Sequence, residues 1–181
     1  MLWSPDRYSE ALRFAAAAHR GQTVPGSDMP YLAHVCNVAM EVMTAIASAD
    51  DGVAHPDLAV QCALLHDVIE DTGVSYENVE ALFGAAVADG VAALSKQEGL
   101  GSKSEKMADS LRRIKDQPRE IWMVKLADRI TNLQPPPHYW KEQKIRNYHA
   151  EAVSIHEALG SAHEGLAQRL FFKIEEYQQY F

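Results

Sequence analysis

The segment Pro56–Glu70, Pro-Asp-Leu-Ala-Val-Gln-Cys-Ala-Leu-Leu-His-Asp-Val-Ile-Glu, does most to limit what this chain can become. It reads as one helix, strongly apolar through Ala59, Val60, Ala63, Leu64 and Leu65, and such a helix belongs at the centre of a domain. Near its end stands His66-Asp67. A buried, adjacent imidazole and carboxylate are costly unless something compensates them. A divalent cation would do so. Imidazole and oxygen ligands together suit Mn, Fe, Zn, Co or Mg, and the absence of a cysteine cluster argues against a structural zinc site. A helix cap or a buried hydrogen bond would satisfy the same pair, so the dipeptide by itself leaves both readings open.

The rest of the chain also reads as helix. Ser4-Pro5 has the form of a cap followed by proline at the first helical position, and Gly21 closes that first helix. Gln22–Pro30, with two prolines, Gly26 and Ser27, is a loop. A second helix is expected over Tyr31–Ala47, and short ones over Glu77–Leu82 and Ala85–Leu94. Residues 97–102 read as a loop, with Ser102-x-x-Glu105 as a capping box for the next helix. Pro118 opens a helix carrying Ile121, Val124, Leu126, Ala127 and Ile130, and Pro135-Pro136-Pro137 breaks the chain again. Two C-terminal helices follow, the last after a second capping box, Ser161-x-x-Glu164. The expectation is an all-α fold, one domain over residues 1–181.

Composition narrows the function. With 47% apolar and 23% charged residues the chain is globular, not disordered. No apolar run reaches the roughly 20 residues that span a bilayer, and the N-terminus lacks the pattern of a secretory leader. Cys36 and Cys62 each sit in an apolar helical pattern and read as reduced core residues, which makes cytoplasm the default location. A net charge of −8 disfavours a nucleic-acid binder. It does not disfavour a small anionic substrate, because local cations and a metal dominate the field inside a cleft.

Three companions sharpen the His66-Asp67 reading. His34 lies on a helix among apolar neighbours, in Pro30-Tyr31-Leu32-Ala33-His34. Asp128 stands among apolar residues in Lys125-Leu126-Ala127-Asp128-Arg129. Glu70 and Asp71 follow His66 and Asp67 by one helical turn each, so the four project in neighbouring directions. Four such groups beside an apolar run do not read as a solvated face.

These runs, with Ala18-His19-Arg20-Gly21-Gln22, His66-Asp67-Val68-Ile69-Glu70-Asp71-Thr72 and Asn132-Leu133, resemble in order the motifs of the alarmone hydrolases: the HD hydrolase domain of RelA/SpoT proteins and its stand-alone small relatives. The resemblance covers about residues 11–152. It implies an HD-domain helical bundle holding a single Mn²⁺ through His34, His66, Asp67 and Asp128. It also implies Glu70 and Asp71 as the catalytic carboxylates, and guanosine tetra- or pentaphosphate as the substrate, cut to release pyrophosphate. One metal rather than two agrees with the lack of any histidine between His66 and His138. The implied substrate contacts are Arg20, Lys125, Asn132, Lys144 and Tyr148. Lys141, Lys144 and Arg146 also fit a solvated helix face, Arg20 a surface arginine, and His19 a structural rather than a ligand role.

The chain departs from that pattern in Thr23-Val24-Pro25-Gly26-Ser27-Asp28-Met29, which carries no cation where the family commonly has a basic pair. Charge-assisted contacts to a nucleotide are thereby lost. This favours a second expectation, an HD phosphohydrolase of another nucleotide, such as the 2′-phosphate of NADPH or a nucleoside phosphate. A non-catalytic binding module is a third reading, opposed by the presence of all six metal and carboxylate residues. Lys96, Lys103 and Lys106 are further cations expected near the cleft.

Overall fold

The computed structural model describes residues 2–50, 52–96 and 101–181, and among these the regular structure is helical. Ten α-helices follow one another: α1 (Pro5–Ala18), α2 (Tyr31–Ser48), α3 (Pro56–Leu65), α4 (Val68–Asp71), α5 (Tyr76–Phe83), α6 (Ala85–Leu94), α7 (Lys103–Lys115), α8 (Arg119–Asn132), α9 (Glu142–Leu159) and α10 (Glu164–Tyr177). None is long and apolar enough to cross a membrane. Residues 97–100 of the loop expected over 97–102 lie outside the described residues.

Helix α3 is the hub expected of it. All seven residues from Ala59 to Leu65 are buried, and α1, α2, α6 and α8 surround them. A residue apolar all round needs partners all round, and the short side chains allow them to approach. Gly90 of α6 shows how closely: a Cβ there would stand 2.8 Å from Cys62 Sγ and 2.6 Å from Ile121 Cδ1. Polar ties fix the ends of these central helices. The Ser4 amide donates to Asp57 Oδ1 at 2.6 Å, joining α1 to α3. The His55 amide donates to the buried Glu120 Oε1 at 2.8 Å, joining α3 to α8. Leu64, near the other end of α3, is wholly buried. Leu64→Ala is therefore expected to cost about 2–5 kcal/mol, read as a fall in the urea midpoint with unchanged slope.

Local rules in the sequence hold where the chemistry is local. Ser4 caps α1 through the Arg7 amide, and Ser102 and Glu105 form the reciprocal capping box of α7. Both cysteines are free thiols, Cys62 buried and Cys36 partly so. The 22–30 loop is pinned by an isolated antiparallel bridge, Thr23 to Pro30, and its Gly26 turns at φ +81°, where a Cβ would strike Pro137 at 2.9 Å.

Two expectations need correction. The helix read over Pro56–Glu70 is broken: α3 stops at Leu65, Asp67 adopts φ −106°, ψ 0°, and α4 starts afresh at Val68. The break releases the His66 ring to bond the Ala63 carbonyl (Nδ1 to O, 2.9 Å). The last helix is capped by His163, whose Nδ1 accepts from the Leu166 amide at 3.3 Å. Ser161 lies in a short 3₁₀ turn, Gly160–Ala162, and so cannot reach the first turn of α10.

Candidate active site

Three helices deliver the polar core. His34 comes from the first turn of α2, His66 from the end of α3, and Asp128 from the last turns of α8. One donor atom from each lies within 4.8 Å of the other two, and all three residues are buried. The two imidazoles face each other through Nε2 at 3.3 Å. Asp128 Oδ1 stands 3.5 Å from His34 Nε2 and 3.8 Å from His66 Nε2. Asp67 adjoins the trio, its Oδ2 2.8 Å from His66 Nε2 and 3.8 Å from His34 Nε2.

The outer contacts orient these groups. His66 Nδ1 is taken by the Ala63 carbonyl, and His34 Nδ1 lies 3.5 Å from Thr131 Oγ1, whose own proton goes to the Asp128 carbonyl. Both rings thus turn Nε2 inward, as metal-ligating histidines do when Nδ1–H is engaged. Tyr31 donates its hydroxyl to Asp67 Oδ2 at 2.5 Å. Lys125 donates to Asp128 Oδ2 at 3.0 Å, and the Asn132 side-chain amide to Oδ1.

Electrostatics show what the cluster lacks. Burial, reinforced by the neighbouring His66, lowers the proton affinity of His34. Burial opposes charge on His66 too, but Asp67 and Asp128 outweigh it and lift the imidazole to about 9. Burial likewise works against the two aspartates. Even so, His66 and the Tyr31 hydroxyl hold Asp67 far below the usual carboxylate range, and Lys125 and His66 hold Asp128 at about 2. Two anionic carboxylates and two inward-facing ring nitrogens, gathered this closely, fit a divalent metal.

In the metal-free protein a proton on His66 partly fills that role. Its stabilisation is complete below the ordinary value of 6.5 and is lost as pH rises through about 9. Metal binding at pH 7 is therefore expected to expel this proton. Titration calorimetry in buffers of different ionisation enthalpy checks it, and buffer-independent heats would show His66 already neutral.

Beside the trio opens a cleft of about 460 Å³ lined by Asp67, Glu70, Asp71 and Asp128 and also by Lys106, Trp140, Lys144 and Tyr148. Burial, then Asp67 and Glu70, raise the proton affinity of Asp71. Its backbone is fixed by a relay in which His19 Nδ1 bonds Gln22 Oε1 at 2.7 Å and Gln22 Nε2 donates to the Asp71 carbonyl at 2.8 Å. His19 thus bears on the Asp71 turn through Gln22 and is not one of the trio. Glu70 is held by Lys96.

Of the sequence-derived contacts, Lys125, Asn132, Lys144 and Tyr148 line this cleft. Arg20 is exposed and is not among its lining residues. Sequence reasoning missed Trp140, over whose ring Lys144 Nζ sits at 3.9 Å and which packs edge-on to Tyr148 at 5.2 Å. It also passed over Arg129, buried, stacked 4.2 Å from the Tyr148 ring, with two guanidinium nitrogens that have no hydrogen-bond partner among the described residues.

Asn132, Trp140 and Tyr148 separate the cleft from a second cavity of about 620 Å³. The cation-free loop forms one of its walls. Its cations come instead from α10, as Arg169 and Lys173, and Arg169 is already bound at 2.6 Å to both oxygens of the buried Glu41.

Comparison with known proteins places the chain in a family. The HD domain family pattern matches residues 11–166. The chain is 32% identical over 175 residues to the Drosophila melanogaster guanosine-3′,5′-bis(diphosphate) 3′-pyrophosphohydrolase MESH1, covering 91% of this chain and 90% of that protein. It is 36% identical over 133 residues to the bifunctional (p)ppGpp synthase/hydrolase SpoT of Escherichia coli K12, covering 71% of this chain and 18% of SpoT. The solved structure of a metazoan ortholog of SpoT that hydrolyses ppGpp superposes with a TM-score of 0.81 at 26% identity, over 98% of both chains. The chain belongs to the HD-domain family, in the group that includes the MESH1 and SpoT hydrolases.

Proposed function

We propose that this protein is a Mn²⁺-dependent pyrophosphohydrolase that removes the 3′-pyrophosphate of guanosine tetra- or pentaphosphate. The observation that carries the reading is that Asp128 of the His34, His66 and Asp128 cluster, its neighbour Asp67, and the Glu70–Asp71 pair line one cleft together with cationic and aromatic side chains. The MESH1 relatives, similar over nine-tenths of the chain, supply the substrate. His34, His66, Asp67 and Asp128 would hold the metal, which supplies Lewis-acid polarisation of the phosphoryl group and lowers the pKa of water.

The protein's own residues do the rest. Asp71 and Glu70 orient the attacking water and take its proton. Lys144, steadied on Trp140, meets phosphate charge, and Asn132 and Tyr148 face the nucleotide between the two cavities. Lys125 is spent mainly on Asp128, which it keeps ionised.

A second reading, hydrolysis of another nucleotide such as NADPH at its 2′-phosphate, is favoured by one feature. The far cavity has a loop without a cation, an Arg169 already neutralised by Glu41 and a Lys173 that meets Glu176, so it suits a moiety of low charge better than a polyanion. The test is hydrolysis of guanosine tetraphosphate with Mn²⁺, with NADPH and common nucleotides in parallel. Release of pyrophosphate and GDP is expected. Turnover of another nucleotide alone would replace the substrate while leaving the site in place.

A further inference from the structure

Lys96 is a cation on the cleft, but its charge is already in use. Its ammonium donates to Glu70 Oε1 at 2.7 Å, and its own backbone amide donates to Oε2 at 2.8 Å. Both oxygens of one carboxylate are thus gripped by one residue, which fixes the plane of the carboxylate as well as its position.

The grip is anchored. Lys96 follows α6 by two residues, and Arg113 of α7 donates to the carbonyls of Ala92, Ala93 and Ser95 at 2.8, 3.0 and 2.8 Å. These are the groups a helix C-terminus leaves open. Arg113 is in turn held by Asp109 at 2.7 Å, and the Ser95 hydroxyl closes back on Val91 at 2.9 Å. Glu70, by contrast, stands on the four-residue α4, a helix too short to order its own side chains.

The pair adds little to folding. The Lys96 side chain is 55% exposed, and exposed ion pairs contribute little net stability. Lys125 and Arg129 also meet carboxylates, Asp128 and Glu151, but neither brings its own amide to the second oxygen.

We propose that Lys96, presented by the Arg113-capped end of α6, is a positioning residue that sets the Glu70 carboxylate for its work on the attacking water. This rests on the reading of Glu70 given under Proposed function. The opposed reading is that Lys96 leaves Glu70 and contacts the substrate phosphate directly.

A double-mutant cycle separates them. Lys96→Met keeps the stem and the backbone grip and removes only the ammonium. It is expected to lower kcat about tenfold with KM changed by less than about twofold, the size of a coupled contact pair, and Lys96→Arg is expected to restore most of the loss. In a Glu70→Gln background, assayed over long times, Lys96→Met should cost almost nothing more. Equal losses in both backgrounds, a rise in KM at constant kcat, or no effect would each overturn the proposal.

A readout free of turnover uses the metal-free protein. The ¹⁵N ammonium resonance of Lys96 should be protected from exchange in the wild type and lost in Glu70→Gln, and its absence in the wild type would also count against the pair. The cycle is read on whichever nucleotide of the panel the wild type hydrolyses. Failure with guanosine tetraphosphate alone thus removes the substrate reading and not this one, whereas a wild type that hydrolyses none of them overturns both.

Discussion

Asp67→Ala is expected to abolish metal uptake at micromolar concentrations and, with it, turnover. Asp67 is the residue that joins the cluster to its surroundings. It reaches both imidazoles, accepts the Tyr31 hydroxyl, and keeps its charge despite burial. Its removal takes away an anionic ligand, so the loss of affinity should exceed the roughly 10–100-fold that an outer partner costs. One effect runs the other way. Without Asp67 the His66 imidazole holds its proton less tightly, so the metal has less to displace. That offset exists only while the wild type is protonated, and the affinity gap should therefore widen as pH is raised toward 9. The variant also leaves Tyr31 without its acceptor, at about 1–3 kcal/mol in the metal-free protein. Equilibrium dialysis with elemental analysis measures the first effect and thermal unfolding the second. Wild-type metal content in Asp67→Ala would remove this residue from the ligand set.

Glu70→Ala is expected to separate the two effects: it keeps the metal and loses turnover by about 10²–10⁴-fold, the range for a positioned acid or base. Glu70 shares the cleft wall with the cluster, but its two oxygens contact Lys96 and not the imidazoles. Metal affinity should thus stay within a few-fold. As a partly exposed side chain it should also shift stability by no more than about 0.5 kcal/mol. The measurements are single-turnover hydrolysis and metal titration on the same preparation. If the alanine variant turns over at near the wild-type rate, proton transfer rests on Asp71 alone. If it loses metal as well, Glu70 belongs to the cluster and the division between ligands and catalytic pair is misplaced. Together the two variants assign opposite metal-binding outcomes to residues three positions apart.

The distance over which each contact acts decides what could be read from the sequence. Ser4 and Ser102 were legible as caps because a hydroxyl and the amide it accepts from lie three residues apart. The apolar run 59–65 was legible as the central helix because burial on all sides leaves no polar face. The break at His66-Asp67 was not, since helical periodicity continues smoothly across it and the ring-to-Ala63 bond that accompanies it leaves no compositional trace. Ser161 mimicked a cap that His163 supplies, because the intervening residues wind into a 3₁₀ turn. Of the site, His34, His66 and Asp128 were named from motifs on three separate helices and do converge. Lys96 was named only as a cation near the cleft. Its partner lies 26 residues earlier, and nothing in either segment announces the pairing. Trp140 went unmarked because a tryptophan after a proline run carries no spacing rule.

The pairing of Glu41 with Arg169 has a consequence for how much of the chain the metal centre needs. Glu41 sits on α2 two turns after His34, 5% exposed, and its counter-charge arrives from α10, 128 residues later. A carboxylate in that position cannot be left bare, because an uncompensated buried charge costs several kcal/mol. Shortening the chain to a point before Arg169 would strand that charge in the helix that carries a ligand. Among the described residues the C-terminal helix makes no hydrogen bond or ion pair to the four candidate ligands, yet it is as much a part of their scaffold as the helices on which they stand.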